Sequence, residues 1–226
     1  MPQKSEAGLD PRIASAVSLL SIVRQETDTI GVAVSYGKDS LVTLDLCSRV
    51  FPKLFGYYLY RVANMEIVEE WKQNAQSRWP IEIIDYPHFD LSRCYSNAVL
   101  QPHWKNTENV SRVKFSDIED KFRVDTGVKW IAYGWRGNDS YSRCLIMKKC
   151  RGLDEQSLRV FPIRSFRRQD VYRYLDTMGI ERPDTLGRKE QGGLDFHKGA
   201  FDAMSENDKK KWLRDFPFSE VVTIEN

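Results

Sequence analysis

Between Ser35 and Ser40 the chain reads Ser-Tyr-Gly-Lys-Asp-Ser. Two hydroxyls, an ammonium group and a carboxylate fall together around Gly37, which lets a ligand come close to the main chain. The preceding "IGVAV" is a short apolar run, as in a strand covered on both faces. The following "SLVTLDLCSRVF" has helical spacing. In open α/β sheets ligands bind beyond the carboxyl ends of the strands. The free N–H groups at a helix start suit a phosphate there. Lys38 would add a point charge for phosphate oxygens, and Ser35 and Ser40 would add donors. Asp39 needs its own reason, and holding Mg²⁺ against the phosphates is one. The plainer alternative is an ordinary strand-to-helix turn with Asp39 or Ser40 as the cap. Neither G-x-x-x-x-G-K-[ST] nor G-x-G-x-x-G is present.

A second cluster lies in "GWRGNDSYSR", Gly134 to Arg143. The guanidinium forks of Arg136 and Arg143 suit phosphate-like or sulfate-like oxyanions. From Arg136 to Arg173 ten Lys/Arg face four acidic residues, a local excess of 6, while the whole chain carries a formal +2. That excess reads either as an anion site or as a solvated face. The basic region 148–173 is a possible contact for nucleic acid or a partner protein, and such binding would weaken with salt. None of the four cysteines forms a C-x-x-C pair. Their spacing does not suit a disulfide framework or a zinc site, and a reduced, cytoplasmic protein is expected; Cys144 and Cys150, six apart, could help hold a metal or an iron–sulfur cluster, the lesser alternative. Cys144 beside Arg143 could be activated as a thiolate, or it could be a small hydrophobe. His88, His103 and His197 have no partner at metal-ligand spacing. No apolar run approaches the roughly 20 residues of a membrane helix.

These residues need a scaffold. Helical spacing is read over 11–27, 40–51, 65–79, 114–127, 167–180 and 205–216, and strand-like runs over 30–35, 54–62, 81–86 and 129–135. Strand and helix alternate at intervals that suit βαβ crossovers. The expected fold is a three-layer α/β/α domain with a mostly parallel, doubly wound sheet. The expected nucleotide-binding domain is 1–182. A polar, glycine-rich C-terminal extension, 183–226, would be part of the same domain and could form a loop over the site.

The Ser35–Ser40 stretch resembles the PP-loop, S-G-G-x-D-S, of the adenine nucleotide α-hydrolase superfamily (N-type ATP pyrophosphatases). Tyr36 stands where that pattern has its first glycine. "GWRGNDSYSR" is similar to the G-x-R-x-x-[DE]-S-x-x-R element of the phosphoadenosine phosphosulfate (PAPS) reductase-like family. "FPIRSFRRQDVYRYLDTMGI" is similar to that family's P-L-x-D-W-T-x-x-D-V-W-x-Y-I segment, with Pro162, Phe166, Asp170, Val171, Tyr172 and Tyr174 in register.

The resemblance implies nucleotide binding by Ser35, Tyr36, Gly37, Lys38, Asp39, Ser40 and Gly134. It implies catalytic roles for Lys38, Asp39, Arg136 and Arg143, Mg²⁺ placement by Asp39, and an adenine pocket near Tyr60 to Met65. Reductases of the family use a cysteine near the C-terminus, and this sequence has none after Cys150. The leading expectation is therefore an ATP pyrophosphatase or adenylyltransferase. It would cleave Mg-ATP at the α-phosphate, in sulfur assimilation or nucleic-acid modification. The alternatives are a sulfonucleotide (PAPS/APS) reductase with a relocated thiol, Cys144 or Cys150, and a non-catalytic nucleotide-binding or nucleic-acid-docking subunit.

Overall fold

A computed structural model describes residues 11–97, 111–181 and 204–217. In chain order the elements are α1 (Pro11–Arg24), β1 (Thr29–Ala33), α2 (Lys38–Ser48), β2 (Lys53–Tyr60), α3 (Glu66–Arg78), β3 (Ile81–Pro87), α4 (Asp90–Ser96) and α5 (Phe115–Thr126). They continue as β4 (Ile131–Ala132), α6 (Tyr141–Cys150), β5 (Leu153–Asp154), β6 (Arg159–Val160), α7 (Arg168–Met178) and α8 (Glu206–Asp215). The six strands form one sheet in the order β3-β2-β1-β4-β6-β5. β1 runs parallel to β4, with Gly31 opposite Ile131, and β4 runs parallel to β6, with Ala132 opposite Val160. β5 runs antiparallel to its neighbour β6. This is the expected mostly parallel α/β class. Strand order reverses between β1 and β4, and such a switch point opens a crevice at the strand ends.

The chain divides into two compact units. One comprises residues 1–34, 38–55 and 128–182. Its core follows from α2, in which every residue from Ser40 to Cys47 is buried. A helix covered this fully must lie between other elements, and α2 packs on both β1 and α7. Burial costs Asp45 its water, and hydrogen bonds replace it: the Tyr174 hydroxyl donates at 2.6 Å and Arg49 Nε at 2.9 Å. α7 starts on a similar device. Asp170 accepts the Arg167 N–H at 2.8 Å, and Gly179 ends the helix at φ +58°.

The other unit comprises residues 35–37, 56–127 and 183–226. Its core is aromatic: Tyr57 lies 4.9 Å from Phe122, and Tyr86 meets Phe122 edge-on. The Tyr86 hydroxyl donates to Asp125 at 2.6 Å. Gly127, at φ +72°, closes α5 in the left-handed conformation that side chains resist. Of the expected extension 183–226, residues 204–217 are described, and they include α8.

Every helix and strand expected from the sequence is present within a few residues. α4, α6, β5 and β6 are additional. α6 escapes a periodicity reading because Met147 is its one buried residue, so it carries no apolar stripe. Its start was nonetheless legible, since the Ser140 hydroxyl accepts the Arg143 N–H. β5 and β6 are two residues each, too short for any alternation. In α1 the buried face is Ala16, Leu19, Leu20 and Val23. Ile13 and Val17 are half-buried.

Replacing Tyr174 with Phe removes the donor to Asp45 while keeping the ring. We expect a loss of about 1–2 kcal/mol, read as a lower urea midpoint at unchanged m-value, with nucleotide affinity unaltered.

Candidate functional site

Lys38 is the first residue of α2, so its neighbours Asp39 and Ser40 lie in the first turn, where an acidic residue is favoured by the helix dipole. The Lys38 ammonium contacts Asp39 Oδ2 at 2.9 Å. The other Asp39 oxygen faces Arg136 Nε at 3.1 Å. That second contact is an ion pair without hydrogen-bond alignment. Asp39 Oδ1 and Arg136 Nε are both buried, and neither has a hydrogen-bond partner among the described residues. Such buried polar atoms are unusual enough to need a reason, and a ligand is one.

Arg136 is itself buried. It is steered by Asp139, which accepts from its backbone N–H at 3.1 Å and from its guanidinium at 2.6 Å. Asp139 also accepts from Arg143 at 2.9 Å. The Arg143 guanidinium lies 4.9 Å over the Trp135 ring, which supports it by cation–π attraction. Lys38, Asp39, Arg136, Asp139 and Arg143 thus form one chain of alternating charge with three cations and two anions. The sequence reading proposed four of these five. It missed the role of Asp139, which stood inside the quoted motif, and it missed Trp135. Any residue that must face two arginines is a candidate for a carboxylate, and that signal could have found Asp139.

Gly134 is where the segment after β4 meets the loop. A Cβ there would lie 2.8 Å from the backbone carbon and oxygen of Asp39 and 3.0 Å from Ser40 N. Only glycine allows this approach, so Gly134 acts by packing. Ser40 is buried in the same turn.

The first half of the loop, Ser35–Gly37, belongs to the other unit. Tyr36 is fully buried and stacks at a tilt on Tyr58, with ring centroids 5.2 Å apart. Its φ is +56°. A left-handed residue with a Cβ costs roughly 1–2 kcal/mol, which explains why the resembling motif has glycine at this place. Burial of the aromatic ring offsets that cost. The phenol is pushed well above its ordinary pKa by burial first, then by Asp85, Tyr58 and Glu69. Its hydroxyl has no hydrogen-bond partner among the described residues.

The fit to Mg²⁺ is poor. Both Asp39 oxygens face cations, both Asp139 oxygens serve arginines, and no group of three His, Cys, Asp or Glu suited to a metal occurs among the described residues. The arrangement instead prepares three cations for an anion.

The basic region does not act as one patch. Arg173 pairs with Asp170, and Arg159 lies over Tyr133. Lys148, Lys149 and Arg151 are exposed on and just after α6, as are Arg167 and Arg168 before and at the start of α7. Cys144 and Cys150 are half-buried on α6, and Cys47 is fully buried, which raises its thiol pKa. The expected adenine segment, Tyr60 to Met65, contains buried Val62 and Met65. His88 Nδ1 accepts the Asp90 N–H at 3.1 Å, a structural use. His103 and His197, and the glycine-rich stretch after Pro183, lie outside the described residues. No helix among the described residues is long and apolar enough to cross a membrane.

Gly134→Ala should displace the turn at Asp39. We expect affinity for inorganic phosphate and for adenine nucleotides to fall by tenfold or more, with the circular dichroism spectrum retained. Isothermal titration checks both ligands.

Comparison with known proteins places this geometry. No curated protein sequence matches the chain. Among solved structures, a phosphoadenylyl-sulfate (PAPS) reductase from Candida auris, crystallised as a phosphate complex, superposes with a TM-score of 0.51 at 12% identity. The match covers 81% of this chain and 90% of that one. At that identity the likeness speaks for the fold. The family model of the phosphoadenosine phosphosulfate reductase domain matches residues 29–185, from the start of β1 past the end of α7. With most of its length matched, the chain belongs to the phosphoadenosine phosphosulfate reductase domain family, within the PP-loop superfamily that its Ser35–Ser40 turn resembles.

Proposed function

We propose that the chain is an enzyme that binds a sulfonucleotide such as PAPS, with Lys38, Arg136 and Arg143 receiving its anionic tail. The carrying observation is the pairing of Asp39 with both Lys38 and Arg136. A loop built to hold Mg-ATP would leave that carboxylate open to the metal. Here Asp39 is an internal counter-ion to Lys38 and Arg136. Family membership and the pairing of Asp39 with two cations both support the sulfonucleotide reading.

The residues then divide the work. Lys38 and the first N–H groups of α2 attract the phosphate oxygens. Arg136 and Arg143, held by Asp139, orient the sulfo group by paired hydrogen bonds. In reduction, a thiolate attacks the sulfur, the S–O bond to the phosphate breaks, and the nucleotide phosphate leaves with the electron pair. A second thiol then releases sulfite and closes a disulfide. The protein groups stabilise the charge that grows on the leaving phosphate. The attacking thiol would be Cys144, one residue from Arg143 on α6, or a dithiol from solution.

A second reading rests on a specific fact: no cysteine follows Cys150 in the sequence. An ATP pyrophosphatase or adenylyltransferase needs no thiol, and in it the same cations would face the departing pyrophosphate. Docking of a nucleic acid or partner protein on the exposed cations near α6 is compatible with either chemistry.

The deciding assay offers sulfur-labelled PAPS with dithiothreitol in one tube and α-phosphate-labelled ATP with Mg²⁺ in another. Thiol-dependent sulfite release that is lost in Arg136→Ala supports the first reading. AMP formation from ATP supports the second. Asp39→Asn sharpens the choice. Removing a counter-ion should tighten sulfate or nucleotide binding in metal-free buffer several-fold, up to about tenfold. Loss of a metal ligand should instead abolish Mg²⁺-dependent turnover.

A further inference from the structure

We propose that the exposed face of α6 binds single-stranded nucleic acid, with Tyr141 stacking on a base and Lys148, Lys149 and Arg151 taking the phosphates. The face lies wholly within the first compact unit. The core hardly uses this helix: Met147 is its one buried residue. Three of the six large hydrophobic side chains exposed among the described residues stand on it, Tyr141 at 79%, Leu145 at 48% and Ile146 at 40%. Single exposed apolar residues are ordinary, but a cluster marks a contact surface. Helical spacing sets them in two adjoining rows, Tyr141-Leu145-Lys148 and Ser142-Ile146-Lys149, at i, i+4 and i+7. Each row ends in an exposed lysine.

The charge on this face has one sign. From Ser140 to Gly152 there is no Asp or Glu, and there are four cations, Arg143, Lys148, Lys149 and Arg151. The nearest acid on each side is committed. Asp139 accepts from Arg136 and Arg143, and Asp154 accepts from the Ser157 hydroxyl at 2.6 Å. Glu155 is the exposed acid that follows. The cations continue past the helix end, because Arg164 donates to the Arg151 carbonyl, and exposed Arg167 and Arg168 follow on the same segment. The helix dipole favours lysines in a last turn, but it gives no reason for exposed tyrosine, leucine and isoleucine beside them.

A single strand of nucleic acid matches both halves of the pattern. It offers a phosphate at every nucleotide and unstacked bases with apolar faces. Tyr141 presents its ring to solvent, as a stacking platform must. Leu145 and Ile146 would meet the neighbouring base or sugar. The lysines, about 10 Å along the helix axis from Tyr141, would meet the phosphates. A duplex keeps its base faces stacked and gives Tyr141 nothing to stack on. A protein partner would need an apolar patch ringed by carboxylates alone, which is a narrower requirement. Arg143 belongs both to α6 and to the charge chain of Asp39, Arg136 and Asp139, so a strand held here would run beside that site. The proposal does not depend on which small nucleotide that site takes.

Fluorescence anisotropy with labelled oligothymidylate, oligouridylate and a DNA duplex tests it, with heparin as a polyanion that has no bases. The variants are Tyr141→Ala and the double change Lys148→Ala with Lys149→Ala, all at exposed positions, each checked by circular dichroism. We expect the wild type to bind one or both single strands more tightly than the duplex, the two oligomers telling DNA from RNA. Tyr141→Ala should weaken that binding about tenfold and leave heparin binding unchanged, as loss of one stacked base predicts. The lysine pair should lower the slope of log affinity against log salt by about 1.4. Absence of oligonucleotide binding, or binding that Tyr141→Ala leaves unchanged or weakens equally for heparin, overturns the proposal. Self-association that Leu145→Asp abolishes, without oligonucleotide binding, assigns the face to a protein contact and overturns it as well.

Discussion

The carboxylate of Asp39, set between the Lys38 ammonium and the Arg136 guanidinium, is the contact on which the rest of the charged site depends. Two cations this close to buried main chain would repel one another and lose solvation. Asp39 removes both difficulties and ties the start of α2 to the segment after β4. Asp139 repeats the device one step further out, between Arg136 and Arg143. Alternation of charge lets three cations converge without a bound ligand, and it leaves one positive charge in excess. On the proposed reading, an arriving sulfate or phosphate group would meet donors already aimed, which is how preorganised sites lower the cost of binding charge.

Backbone approach sets the second constraint. The loop at Asp39 and Ser40 lies so near Gly134 that a single methyl group would collide. β1 and β4 are hydrogen-bonded neighbours, so the segments leaving their carboxyl ends emerge side by side. The chemistry of the site is therefore decided as much by strand adjacency as by side chains. Tyr36 shows the same economy in a different form: a strained left-handed residue is kept in place by burying its ring against Tyr58.

Legibility differed sharply between elements. α3, α5 and α7 were visible because each buries residues at helical spacing, α2 because its apolar residues recur four apart although burial there is continuous, and β1 because its centre is apolar on both faces. α6 was invisible to that method, since a helix with one buried residue has no stripe to detect. The loop and both arginines were found from residue type and motif. The Mg²⁺ role expected for Asp39 followed from asking why an acid should sit beside phosphates. The neighbouring cations supply a different reason, and their proximity could not be read from positions 97 residues apart in the chain.

The sequence by itself determined the alternation of strand and helix, the place of the Ser35–Ser40 turn between them and the charges carried by the second motif. These are local properties, fixed by periodicity, by backbone permissiveness at Gly37 and by the charge each side chain carries. Only the tertiary structure decided which charges pair. Asp39 meets Arg136, Asp45 meets Tyr174, and Asp208 caps a helix that begins 142 residues before it. The physical reason is that burial makes every polar group find a partner, while the identity of that partner is set by which elements the core brings together.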